Sequence, residues 1–175
     1  QPLASVKRAR GAALSEIVRR HEVLRTRFAA ASGVPRQEIV DGWGLPLRAE
    51  RVAGEPGTRE SAARRELRAE SRRPFDLEEA PPVRVRLLEI GADEHLLMLV
   101  MHHIVSDGWS IGVLIREIGA LYAAFSQGRP SPLPDLAVQY ADYAIWQRGW
   151  LQGEALERQV SYWKRQLSAA PAALE

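Results

Sequence analysis

The chain has 175 residues and no cysteine. That absence excludes disulfides, thiolate metal sites and a cysteine nucleophile. Long apolar runs are missing too. The most apolar stretch, around residues 96–101, is far too short to span a bilayer, and nothing resembles a signal peptide. The expectation is therefore a cytoplasmic protein with no membrane partner. Charge of one sign is also scarce: 24 basic residues face 22 acidic ones, for a net charge of +2. The pI near 9.3 reflects the choice of base, since lysine occurs only at Lys7 and Lys164. Arg59, Arg64, Arg65, Arg68, Arg72 and Arg73 are interspersed with Glu60, Glu66 and Glu70. Mixed signs at this spacing suit a solvated helix with i,i+4 pairs better than a phosphate-binding stripe, so no nucleic-acid partner is expected.

What remains is an ordinary globular composition, 46% hydrophobic and 26% charged, long enough for one domain with a sizeable core. There is no internal repeat. Leu14, Ile17, Val18, His21, Leu24, Arg25 and Phe28 fall on one stripe and predict a helix over 12–30. Short strands are expected near 36–40 and 47–52, and a helix over 59–70. Val83, Val85 and Leu87 alternate with Arg84, Arg86 and Leu88, the pattern of a half-exposed strand, which pairs as a hairpin with a second strand over 96–105. Ile111, Leu114, Ile115, Ile118, Tyr122 and Phe125 predict a helix over 110–125 with Ser110 at its N-cap. A proline-rich connection over 128–134 leads to helices near 136–150 and 154–168, and the tail over 169–175 reads as a linker. The fold class expected is α+β, a mixed or antiparallel sheet flanked by helices.

The segment His102-His103-Ile104-Val105-Ser106-Asp107-Gly108-Trp109-Ser110 concentrates the chemistry. It joins a buried strand to a helix, a position that commonly faces a ligand crevice in α/β sheets. Side chains alternate along a strand, so His102 and His103 are expected on opposite faces, with His103 entering a cleft. A histidine of ordinary pKa, about 6.5, suits proton transfer near neutrality. Diverging adjacent histidines do not make a metal site, and none is expected. Ser106 or Ser110 as the nucleophile of a triad is set aside, because Ser110 is assigned to capping. Asp107 reads as a structural acid. Arg25, on an apolar helical stripe where an unpaired guanidinium would be costly, is its expected partner, with Arg20 as the alternative. Gly108 permits a positive φ or the close approach of a substrate.

This segment resembles the HHxxxDG signature of condensation domains in nonribosomal peptide synthetases. Arg20-His21-Glu22-Val23-Leu24-Arg25-Thr26-Arg27-Phe28 resembles their RHExLRTxF motif, and Tyr140-Ala141-Asp142-Tyr143-Ala144-Ile145-Trp146 their YxDYAxW motif. Residues 73–77 and 162–167 match in the same order. The resemblance covers residues 12–168 and implies a chloramphenicol acetyltransferase-like lobe. The whole chain, 1–175, is expected to be the N-terminal lobe of a two-lobed domain, with the C-terminal lobe absent and the fragment alone inactive.

The implied reaction joins a carrier-bound donor acyl or peptidyl thioester to the α-amine of a carrier-bound acceptor. His103 acts as base or positioning group, His102 and Asp107 accompany it, and Gly108, Trp109 and Ser110 line the path of the pantetheine arm. No cofactor is bound directly; phosphopantetheine arrives on upstream and downstream peptidyl carrier proteins, and an adenylation domain belongs to the parent. Three alternatives stay open: an epimerisation-type domain, a stand-alone acyltransferase of the same superfamily, and a non-catalytic lobe that docks a carrier protein.

Overall fold

Helix α1 (Leu3–Arg20) buries Ala13, Leu14, Ile17 and Val18 on one stripe and carries Arg19 and Arg20 in its last turn, where cations complement the helix dipole. A computed structural model describes residues 3–45, 47, 49–92 and 94–170. It divides into two units, 1–137 and 138–175.

In the first unit, α1 ends where the stripe had been expected to continue. A 3-10 turn, Glu22–Arg25, follows, then strand β1 (Thr26–Ala31), antiparallel to β2 (Val34–Ile39). Ser32 and Gly33 close the hairpin with φ of 53° and 78°, the left-handed values of a two-residue type I′ connection. The helix predicted over 12–30 is thus corrected: Arg25 and Phe28 lie beyond it. Leu24 and Phe28 sit four apart, but Thr26 is buried between them and its hydroxyl bonds the Glu22 carbonyl at 2.7 Å, which turns the chain into a strand.

Strands β3 (Ala49–Arg51), β4 (Val83–Glu89) and β5 (His95–Met101) form the second sheet in that order, β3 parallel and β5 antiparallel to β4. The hairpin of β4 and β5 and the mixed sheet match the expected class. Its register pairs Val83 with Met101 and Val85 with Leu99, so these four share one face. That face packs with α1 and helix α3 (Gly108–Phe125) through Ile17, Leu114 and Leu121. On the other face Leu88 and Leu96 pack with Val52 and with Ala63 of helix α2 (Arg59–Ser71).

The second unit holds α4 (Tyr140–Trp150) and α5 (Gly153–Gln166). Helix α4 starts at Tyr140, later than expected, because the Asp142 carboxylate accepts the Gln139 amide at 2.9 Å. Along it Tyr140, Tyr143, Trp146 and Trp150 succeed one another with ring centroids 5.6–6.0 Å apart. Residues 171–175 of the expected linker tail lie outside the described residues. No described helix is long and apolar enough to cross a membrane.

One ionic cluster ties the first unit together. Arg20, its side chain only 2% exposed, pairs with Glu117 of α3 at 3.4 Å and donates to the Pro134 carbonyl at 2.6 Å. His21 Nε2 lies 2.8 Å from the same carboxylate. Burial acts to raise the Glu117 pKa, but hydrogen bonds with His21 and Arg20 outweigh it, and the carboxyl is held below its ordinary value of 4.5. A depressed folded pKa means stability that is full above the ordinary value and lost as the pH falls through the folded one. Glu117→Gln is expected to destabilise the chain by about 3 kcal/mol at neutral pH, the cost of removing the carboxylate from a buried charge pair. Urea unfolding from about pH 5 down to about pH 3 should show the gap between variant and wild type narrowing. A gap that does not change with pH would contradict this role for Glu117.

Candidate functional site

Strand β5 stops at Met101, and residues 102–107 connect it to α3. Both histidines therefore sit after the strand, and the alternation expected to separate them does not apply. They differ in what they hold. The His102 amide donates to the Pro82 carbonyl at 3.0 Å, and its own carbonyl accepts the Val105 amide at 3.0 Å. Its ring turns back on the chain, where Nδ1 accepts the Ile104 amide at 3.0 Å. An Nδ1 that accepts leaves the ring proton on Nε2. Val105 is buried in the main core and anchors the middle of the turn. His103 stands exposed on its outer side.

Asp107 closes the turn. Its backbone is extended, and the carboxylate accepts the Ser110 amide at 2.8 Å, while the Ser110 hydroxyl lies 2.7 Å from the Asp107 amide. This is a reciprocal capping box with Asp107 at the N-cap and Ser110 at N3. The cap expected at Ser110 is thus corrected by three residues, because the Asp107 carboxylate accepts the N3 amide, which is that of Ser110 itself. The Ser110 amide, and after it the Ser110 hydroxyl, hold the exposed Asp107 carboxyl below its ordinary range.

The expected ion pair of Asp107 with a buried arginine is overturned. With α1 ending at Arg20, Arg25 falls in the 3-10 turn and pairs with Glu22 at 3.1 Å and Asp41 at 3.0 Å. Arg20 pairs with Glu117.

Residues 108–112 do spell glycine, any residue, serine, any residue, glycine. That spacing belongs to a nucleophile elbow only on a sharp strand-to-helix turn. Here the strand ends at Met101, well before Ser110, and the Ser110 hydroxyl is engaged by Asp107, so no such elbow is formed. Gly108 opens α3 without a positive φ, and a Cβ built there meets nothing within 4 Å. Local backbone geometry does not require glycine at 108. Trp109 beside it is 85% exposed, an indole projecting from the helix start.

Two groups escaped the sequence reading. Phe75 meets His102 edge-on, ring centroids 6.1 Å apart, and the Arg84 guanidinium lies 3.8 Å over the Phe75 ring. Arg84 also binds the Glu70 carboxylate at 2.5 Å and the Arg73 carbonyl at 2.8 Å. The loop after α2 is thereby pinned beneath the first histidine. Only the alternation of Arg84 with buried valines hinted at an inward-reaching cation. The other group is His21, which lines a largely apolar pocket of about 150 Å³ together with Leu24, Met101, Ser106, Trp109 and Leu114. Its Nε2 is committed to Glu117, a pairing across 96 residues that no local pattern reveals.

Because Asn caps helices about as well as Asp, Asp107→Asn should keep most of the stability that Asp107→Ala loses. Thermal melts of Asp107→Asn and Arg25→Gln, singly and combined, should give additive losses. A coupling between the two would restore the discarded ion pair.

Comparison with known proteins adds three kinds of relative. A family model described as Condensation domain matches residues 9–174. Chondramide synthase cmdD of Chondromyces crocatus is 47% identical over 166 residues, 92% of this chain but 4% of the relative. Malpibaldin synthetase of Mortierella alpina is 45% identical over 163 residues, covering 93% and 3%. Phosphinothricin tripeptide synthetase PhsC of Streptomyces viridochromogenes is 43% identical over 164 residues, covering 93% and 15%. The chain therefore spans a small part of the curated relatives it matches. Among solved structures, the X-domain in its complex with OxyB from teicoplanin biosynthesis superposes with a TM-score of 0.84 at 30% identity, covering 96% of this chain and 37% of that one. The structure concerning condensation domain-mediated chain release from the enacyloxin polyketide synthase gives a TM-score of 0.74 at 27% identity, covering 97% and 31%.

Proposed function

This chain belongs to the condensation-domain family of nonribosomal peptide synthetases, and from that premise we propose that it forms one lobe of a catalyst that makes amide bonds between two carrier-bound substrates. The observation that carries the reading is the exposed imidazole of His103, held out by a turn fixed at His102 and at Asp107.

The amine of the acceptor attacks the carbonyl carbon of the donor thioester. The C–N bond forms, the C–S bond breaks, and the ammonium proton of the tetrahedral adduct must leave before the amide is neutral. His103 holds the amine by a hydrogen bond and takes on part of that proton, which passes on to the departing thiolate. The thioester is already activated, so the residues need only bring the carbonyl carbon and the amine nitrogen together and manage one proton. Positioning of this kind contributes more than proton transfer alone, which is worth about 10²–10⁴-fold. The open space at Gly108 and the exposed Trp109 ring suit the passage of a pantetheine arm, which comes with the substrates on carrier proteins upstream and downstream. Asp107 caps the helix that carries these residues and stays out of proton transfer. Turnover belongs to the two-lobed parent, with its adenylation and carrier domains; the 175-residue chain by itself provides one wall of the site.

In the parent synthetase, His103→Ala is expected to lower single-turnover amide formation by about a hundredfold. Gly108→Trp should slow the same reaction without lowering the melting temperature, because its side chain enters open space. Wild-type turnover by a folded His103→Ala parent would remove both the proton and the positioning role.

A further inference from the structure

A second cavity, of about 170 Å³, lies between α1, β5 and α3. It shares no lining residue with the pocket beside the histidine turn. Ala13, Leu14, Leu97, Ile118 and the Tyr122 ring make its apolar walls, and Arg10 supplies its one charge among the described residues. The Arg10 guanidinium leans toward the Tyr122 ring, 6.0 Å from its centroid, and its Nη1 is buried without a hydrogen-bond partner among the described residues.

Arg10 is half-buried, but a guanidinium nitrogen removed from water and left unbonded is among the costlier arrangements in a protein. A carboxylate answers the cost directly, since guanidinium and carboxylate form strong charge-assisted hydrogen bonds. The remaining walls reward carbon. A cavity near 150 Å³ holds a benzene-sized hydrocarbon, so this one has room for a tail of about five carbons beside the acid group. Leu97, 43% exposed on β5, lines the cavity and also meets solvent.

We propose that this cavity is a binding site for a small carboxylic acid with a short apolar tail, the carboxylate on Arg10 and the tail against Leu97 and Ile118. The site is independent of the condensation chemistry assigned to His103 and stands or falls without it.

Hexanoate is the probe. Titrated into the purified chain, it should shift the methyl resonances of Leu97 and Ile118 saturably. Hexan-1-ol, of the same length without the charge, should bind at least about tenfold more weakly, the effect expected of losing a charged hydrogen bond. Arg10→Gln should weaken hexanoate to the same degree, and Arg10→Leu should abolish its binding while the methyl spectrum reports a folded chain. Equal affinity for hexan-1-ol and hexanoate would mean an apolar cavity only. Unchanged hexanoate binding by Arg10→Gln, or no saturable methyl shift in the wild type, which would mean solvent fills the cavity, also overturns the proposal.

Discussion

The turn that presents His103 depends on hydrogen bonds made at its two ends. At one end the His102 ring accepts the Ile104 amide and its backbone binds Pro82 and Val105; at the other Asp107 and Ser110 exchange bonds across the first turn of α3. A six-residue connection has more amides than a sheet and a helix can satisfy, and buried or half-buried ones must find partners locally. Both ends are satisfied by side chains of the motif itself. The spacing of the motif is thus a spacing of caps, and the exposed His103 ring takes part in none of these bonds.

Beneath the turn, support comes from two arginines that do not belong to it. Arg84 reaches from β4 to cover Phe75, which meets His102 edge-on, and so couples the loop after α2 to the first histidine. Arg20 binds Glu117 in the middle of α3 and the carbonyl of Pro134, so that α1, α3 and the proline-rich segment hold one another. Both guanidiniums are forked donors satisfying several acceptors at once, a task for which lysine is poorly suited. The near-exclusive use of arginine, uninformative about nucleic acid, is consistent with this work of stitching.

Much of the fold was legible. The alternation of Val83, Val85 and Leu87 predicted the central strand, and the hairpin with β5 and the helix α3 followed within a few residues at each end. The failures share a cause. The stripe from Leu14 to Phe28 satisfies helical spacing throughout, yet the chain turns at His21, because Ser32 and Gly33 close a hairpin whose pairing outweighs local periodicity. Once α1 stops at Arg20, the argument that placed Arg25 against Asp107 loses its geometry. The site was legible as a motif, but its interior was not: His21 with Glu117 and Phe75 with His102 are contacts between distant segments, which neither spacing nor composition records.

The account's central claim is a division of labour between adjacent histidines, His102 holding the turn and His103 free to act. Long-range proton–nitrogen correlation spectra of the imidazoles test it most directly. The account predicts that His102 is a neutral ring protonated at Nε2, with Nδ1 coupled through a hydrogen bond to an Ile104 amide slow to exchange. A His102 ring protonated at Nδ1, together with an Ile104 amide that exchanges at the rate of an unstructured chain, would contradict it.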